Sequence, residues 1–266
     1  MLPSGLEAFG AGLEHGDCSW PPGHSDAGFR AGDRGSMAEH RLRWLGHSAW
    51  QLETGEFRVL IDPFLSGNPV ACVAASDLQP THILVSHGHG DHVGDTVELA
   101  VRTGATVVAN YEICEWLTAK GVKNTHAMNL GGGHDFPFGR VKMTIAHHSS
   151  MLPDGSDGGC PGGFLLRLSD GRKIYYAGDT ALFYDMLLIG QVGLDVAILP
   201  IGDNYTMGPA DALRAVELLR PKLVLPCHYN TWPPIAQDAE EWIKDVRSLG
   251  KTNALALRVG DTHVLA

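Results

Sequence analysis

The chain has 266 residues, five cysteines and a formal net charge of −10 with histidine neutral. That length can bury a sizeable core as one large domain or two small ones, and the acidic balance argues against an extended nucleic-acid footprint or an anionic membrane surface as partner. The cysteines (Cys18, Cys72, Cys114, Cys160, Cys227) are odd in number and form no CxxC pair, no apolar run approaches membrane-spanning length, and the N-terminus lacks the order of a signal peptide, so a protein with free thiols in a reducing cytoplasm is expected.

Residues 1–36 carry eight glycines and three prolines without sustained periodicity, and are expected to be disordered or an upstream translation, with Met37 the true start. His15 and His24 in that stretch are discounted as ligands. From Arg41 the pattern turns to strands. Arg41–Leu45, Ala49–Glu53 and Phe57–Ile61, separated by short polar turns, predict a meander. Thr81–Val85 predicts a buried strand, Asp95–Arg102 a helix, Thr106–Ala109 a strand, and Glu112–Lys120 a helix closed by Gly121. Gly131–Gly133 predicts a loop and Val141–Ala146 a strand. Met151–Gly163 is rich in Gly and Pro and is expected to be a mobile loop near the ligands. Gly163–Leu168 and Lys173–Ala177 predict a hairpin around Asp170-Gly171. Asp195–Leu199 and Leu223–Leu225 read as apolar strands. Pro209–Leu219 reads as a helix with Pro at its first turn, and Gln237–Leu249 as a helix ended by Gly250. Ala254–Leu257 and Thr262–Leu265 predict two closing strands. Together these predict one mixed α/β domain over residues 37–266.

The densest chemistry lies in Ser86-His87-Gly88-His89-Gly90-Asp91-His92, directly after an apolar strand. Imidazole and carboxylate are the usual protein ligands of zinc and other first-row divalent metals. His87 and His89 alternate, so an extended backbone aims both rings to one side. Asp91 and His92 follow as adjacent, diverging side chains that can serve a second metal. Three further polar residues end predicted strands: His148, Asp179 and His228. Two metals need about four to five ligands each, counting water. His87, His89 and His148 make one set, Asp91, His92 and His228 the other, and the two carboxylate oxygens of Asp179 can bridge them. That count leaves room for a bridging hydroxide.

Read together, these motifs resemble the metallo-β-lactamase superfamily. His87-Gly88-His89-Gly90-Asp91-His92 is similar to its HxHxDH motif, and Gly178-Asp179-Thr180 to its bridging-aspartate motif. Within it the chain resembles the UPF0173 metal-dependent hydrolases through Trp44-Leu45-Gly46-His47-Ser48, Asp62-Pro63-Phe64, His148-Ser149-Ser150, the run Gly202–Pro209 and His228-Tyr229-Asn230-Thr231-Trp232-Pro233. The resemblance implies an αββα sandwich of two mixed sheets flanked by helices, with the metals at one sheet edge, and favours His148 over its neighbour His147. It leaves His47 a position near the site, either in contact with a ligand or substrate or in a purely structural hydrogen bond. Asp203, Asn204, Tyr205 and Asn230 are candidate pocket residues, with Met207 beside them. Cys227 is expected to pack inward as a small apolar residue, and His134 to be a solvated loop residue; His40, His82, His126 and His263 carry no motif support.

The expected activity is hydrolysis of a small ester, lactone or related molecule by a metal-bridging hydroxide, with Asp91 orienting the water and two divalent ions, Zn2+ in preference to Mn2+ or Fe2+, as cofactors. A phosphodiesterase or nuclease, and a non-catalytic metal-binding sensor, are the alternatives. The expected partner is a small-molecule substrate, with neither nucleic acid nor membrane; a homo-oligomer is left open.

Overall fold

Two seven-stranded mixed sheets face each other, each covered on its outside by helices. The structure, a computed structural model, describes residues 39–265; the expectations for residues 1–36 and for Met37 lie outside them. In chain order the first sheet takes β1 (His40–Gly46), β2 (Ala49–Thr54), β3 (Phe57–Ile61), β4 (His82–Leu84), β5 (Thr106–Asn110) and β6 (Thr125–Met128). The second takes β7 (Gly133–Phe136), β8 (Gly139–Ile145), β9 (Gly162–Leu168), β10 (Lys173–Tyr176), β11 (Val196–Pro200), β12 (Leu223–Cys227) and β13 (Asn253–Ala254). The last strand, β14 (Thr262–Leu265), returns to the first sheet beside β1. The helices are α1 (Gly90–Val93), α2 (Thr96–Thr103), α3 (Tyr111–Ala119), α4 (Met186–Gly190), α5 (Pro209–Leu219) and α6 (Ala239–Ser248).

Strand periodicity divides the core. Along β3 and β4, Val59, Ile61 and Leu84 face the space between the sheets, while Leu60 and Ile83 face outward onto Leu99 of α2 and Ile113 and Leu117 of α3. Alternation with both faces apolar is the signature of a strand buried on two sides. The inter-sheet core includes Trp50, Phe164 and Tyr176, and the same cluster takes in Tyr175 on the opposite face of β10, Val216 on α5 and Trp242 on α6. Full burial of an aromatic such as Phe164 contributes about 1.5–3 kcal/mol.

Helix ends follow local chemistry. The side chain of Asn110 accepts from Ile113 N at 2.9 Å and so caps α3, and Asp238 accepts from Glu241 N at 3.0 Å to cap α6. Pro209 opens α5, and Arg220, at φ 48°, ends it before Pro221.

The meander, both long helices and the Asp-Gly hairpin are present where the pattern predicts them, within two residues at each end. Three differences are instructive. Gly133 opens an edge strand rather than closing a loop: β6 and β7 are short, largely exposed edge strands, so neither shows an apolar alternation. The second half of the His-rich run is a helical turn, α1, that the extended reading did not foresee. The predicted strand Ala254–Leu257 is only two residues of β13 (Asn253–Ala254); Leu255, Ala256 and Leu257 still pack on the core, but there the chain leaves one sheet to reach β14 in the other. Met151–Gly163, expected to be mobile, is held by hydrogen bonds. Asn110 donates to the carbonyls of Gly158 (2.6 Å) and Cys160 (3.0 Å), and Trp116 Nε1 donates to Asp154 at 2.6 Å. No described helix is long and apolar enough to cross a membrane.

β3 to β6 run parallel, as do β10 to β13. The carboxyl ends of β3, β4, β10 and β12 deliver Asp62, Ser86-His87, Asp179 and His228 to one cluster, the place where open parallel sheets present binding groups. Gly94 closes α1 at φ 42°, and a β-carbon there would run into the carbonyl oxygen of Pro63 and the backbone of Phe64. Gly94→Ala is therefore expected to destabilise the fold by about 2 kcal/mol or more, read as a lower denaturant midpoint with an unchanged m-value.

Candidate metal centre

The seven side chains singled out in sequence converge. Donor atoms of His87, His89 and His148 form one group in which every pair lies within 4.8 Å, and Asp91, His92 and His228 belong to a second that also contains His47. Around an ion with bonds near 2.1 Å, neighbouring donor atoms stand about 3.0–3.4 Å apart, and the closest pairs here are spaced that way. His87 Nε2 is 3.0 Å and His148 Nε2 3.3 Å from His89 Nδ1. Asp179 Oδ2 lies 3.1 Å from His228 Nε2, 3.2 Å from His92 Nε2 and 3.6 Å from His148 Nε2, so one carboxylate touches both groups.

Hydrogen bonding alone does not account for this packing. Asp179 Oδ1 is buried with no hydrogen-bond partner, and His92 Nε2 has only the carboxylate of Asp179, at 3.2 Å, beside it. Buried polar atoms without partners are costly, and convergent Lewis bases are what a divalent cation requires. The donor set fits such an ion.

Asp62 orients the imidazoles from behind. It is fully buried at the end of β3, with φ 44°. Its Oδ1 accepts from Ser86 N at 2.7 Å. Its Oδ2 accepts from Tyr176 OH at 2.7 Å, from His92 Nδ1 at 2.7 Å and from Ser86 Oγ. Because the Ser86 hydroxyl donates to Asp62, it accepts from His87 Nδ1 at 3.0 Å. Both rings thus have Nδ1 protonated and Nε2 bare toward the centre, the tautomer a ligand needs. Ser149 Oγ lies 3.3 Å from His89 Nε2, which leaves Nδ1 of that ring facing the cluster. In the sequence Asp62 is marked only by its Asp-Pro position at a strand end; its partners, 24 to 114 residues away, leave no local signal.

The electrostatics agree with a site built for cations. Burial lowers the ring pKa of His87 well below its ordinary value, and lowers those of His89 and His148, so these stay neutral. For His92 burial acts downward too, but the carboxylates of Asp179 and Asp62 dominate and raise it well above, so without an ion a proton takes the place at Nε2 that a cation would fill. Burial would raise Asp179, yet His228 and His92 beside it hold it well below the usual carboxylate range. Asp91 is likewise lowered against its burial, by the hydrogen bond from His47 and the charge of His92.

Gly178, at φ 64°, brings Asp179 to the centre. A β-carbon there would stand 2.7 Å from Gly162 O and 3.2 Å from Ser86 Cβ, so only glycine lets the end of β10 lie against the motif strand of the other sheet. His148 joins the cluster, whereas His147 is exposed with its ring 5.1 Å from that of Phe183. Cys227 packs in the core, and burial raises its thiol pKa well above the ordinary value, which keeps it protonated. Asp203, Asn204 and Tyr205 form a loop with hydrogen bonds among themselves, and Asn230 Oδ1 accepts from Gln237 N at 2.8 Å. None of these four belongs to the described metal-capable groups. His134 is exposed on β7, its ring 4.1 Å from that of His126.

Residues 57–229 match the family model of the β-lactamase superfamily domain. The chain is 51% identical over 220 residues to a UPF0173 metal-dependent hydrolase of Thermus thermophilus, covering 83% of this chain and 96% of that one. It is 49% identical over 229 residues to a UPF0173 metal-dependent hydrolase of Symbiobacterium thermophilum, with 85% and 100% covered. Among solved structures it is similar to Igni18, described as a novel metallo hydrolase from the archaeon Ignicoccus hospitalis, with a TM-score of 0.79, 36% identity, and 86% and 99% of the two chains covered. The chain belongs to the β-lactamase superfamily, in its UPF0173 family of metal-dependent hydrolases.

Proposed function

We propose that the protein hydrolyses small uncharged carbonyl substrates, esters or lactones, at a centre of two divalent ions, with zinc the first choice for so histidine-rich a set. His87, His89 and His148 would hold one ion, Asp91, His92 and His228 the other, and Asp179 both. Bound ions of this kind supply a water acidic enough to ionise near neutral pH and a Lewis acid for the carbonyl oxygen. The carrying observation is the convergence of the donor atoms: 3.0 and 3.3 Å from His89 to His87 and His148, 3.1–3.6 Å from Asp179 to His228, His92 and His148, and 3.9 Å between Asp91 and His228.

The chain's own residues supply the rest. Asp91 is partly exposed and held ionised, so its carboxylate can accept a hydrogen bond from the attacking water and orient it. Asp62, through Ser86 and directly, keeps the rings of His87 and His92 fixed while the reacting groups change charge.

The segments framing the site, 46–50, 62–65, 86–95, 146–152, 177–185, 201–208 and 228–235, contain no Lys or Arg. They do contribute Phe64, Met151, Leu152, Phe183, Tyr184, Tyr205 and Trp232. Enzymes that grip nucleic-acid or diester phosphates use Arg and Lys for the non-reacting phosphates. Apolar surroundings with few polar groups suit an acyl group instead.

A panel of lactones, acyl esters, thioesters, phosphodiesters and β-lactams on zinc-loaded protein tests this reading. Lactone or ester turnover is expected to exceed phosphodiester turnover at least tenfold in kcat/KM; the reverse order would replace the substrate class, and no turnover anywhere would favour the sensor. His89→Ala is expected to lose metal and to lower activity at least 100-fold while its circular dichroism stays that of the parent. Full metal content in that variant would remove His89 from the ligand set. Asp62→Asn keeps the shape but turns an acceptor toward donors. It is expected to weaken metal binding about 10- to 100-fold, measured by chelator competition.

A further inference from the structure

His47 is the one member of the second metal-capable group that the HxHxDH, His148, Asp179 and His228 pattern does not account for. It sits in the turn between β1 and β2, fully buried, at φ 53°. Its Nε2 stands 3.2 Å from Asp91 Oδ2, and its ring centroid is 4.1 Å from that of His228 and 5.8 Å from that of His92. Donor atoms of His47, Asp91, His92 and His228 all lie within 4.8 Å of one another. Histidine and carboxylate donors gathered this closely could hold one ion in common.

The backbone and the other ring nitrogen are arranged to hold that position. His228, also at φ 53°, donates its backbone N–H to the carbonyl of His47 at 3.1 Å, and Trp44 Nε1 donates to the same carbonyl at 2.9 Å. The two turns that carry His47 and His228 are therefore stitched together, each with a non-glycine residue in the left-handed region, a form of strain that collects at functional sites. His47 Nδ1 lies 2.8 Å from Thr231 Oγ1. Without an ion, Nε2 shares a proton with Asp91 Oδ2; with the proton on Nδ1, donating to that hydroxyl, Nε2 would be free for a metal, the arrangement of a metal-bound histidine with its outer partner. Trp232 and Phe64 enclose the ring at 5.0 and 5.9 Å between centroids.

We propose that His47 is a protein ligand of the second metal position, which then has five protein donors: His47, Asp91, His92, His228 and the shared Asp179. This rests on the two-metal reading above and makes its two positions unequal. The first, with three imidazoles and a shared carboxylate, suits the four-coordinate habit of zinc. The second, with five protein donors of which two are carboxylates, would suit an ion that takes more ligands, such as manganese or ferrous iron.

The test is metal binding, independent of turnover. Metal-free full-length protein is titrated with Co2+ followed by its visible absorption, and with Zn2+ and Mn2+ in competition with a chelator, for the parent, His47→Ala, His47→Asn and Thr231→Val. The parent is expected to take two equivalents. His47→Ala and His47→Asn are expected to bind one of the two at least 100-fold more weakly, the other unchanged, and to show a stronger cobalt band as the second ion loses a ligand. Thr231→Val keeps the imidazole and removes only its outer partner. It is expected to weaken the same equivalent about 10-fold, and it decides the matter if the His47 variants do not fold. Two equivalents bound with parental affinity by the variants would overturn the His47 assignment alone. A parent that takes fewer than two equivalents would overturn the two-metal reading, and this proposal with it.

Discussion

The carboxylate of Asp62 is the interaction on which the site depends. It lies at the end of β3 in the first sheet, and takes hydrogen bonds from the motif strand (Ser86), from α1 (His92) and from β10 of the second sheet (Tyr176). A fully buried carboxylate is tolerable only when its lone pairs are met by donors, and these donors come from three elements that must all be in place. The same contact therefore closes the sandwich and sets two imidazole tautomers. Stability and ligand orientation are one constraint here.

Further out, the constraint becomes crowding. Six imidazoles and two carboxylates, those of Asp91 and Asp179, converge at one edge of the sandwich. Such a collection of bases is held against its own repulsion by burial, by outer hydrogen bonds and by turns in the left-handed region at His47, Asp62 and His228. Gly178 is part of the same construction, because placing Asp179 against both histidine groups demands that β10 touch the other sheet's motif strand. The absence of Lys and Arg from the framing segments leaves the protein's cationic charge outside, so the centre's acidic and basic groups answer to each other.

Sequence periodicity was enough for most of the scaffold. β1 to β5, α3, α5 and α6 have either strong alternation or explicit caps, such as Asn110, Pro209 and Asp238. Where local signal was thin, the pattern failed for physical reasons. The edge strands β6 and β7 bury too little to alternate, and the apolar run 254–257 owes its burial to core packing rather than to strand pairing. The helical turn α1 within the His-rich run needed its neighbours, since Gly94 fits only against Pro63 and Phe64.

The sequence by itself determined the residue types and the delivery points: histidines and aspartates at strand ends, with three histidines and one aspartate packed into six positions of one run. Their chemistry is local and needs no partners to be read. Which atoms face inward was decided only by the tertiary structure. The ring nitrogen that His87 and His92 offer depends on Asp62, which lies 24 residues from the Ser86 relay and 30 from His92, and the place of His47 depends on Thr231, 184 residues away. Tautomer and orientation are set by contacts across both sheets, and no one-dimensional spacing encodes them.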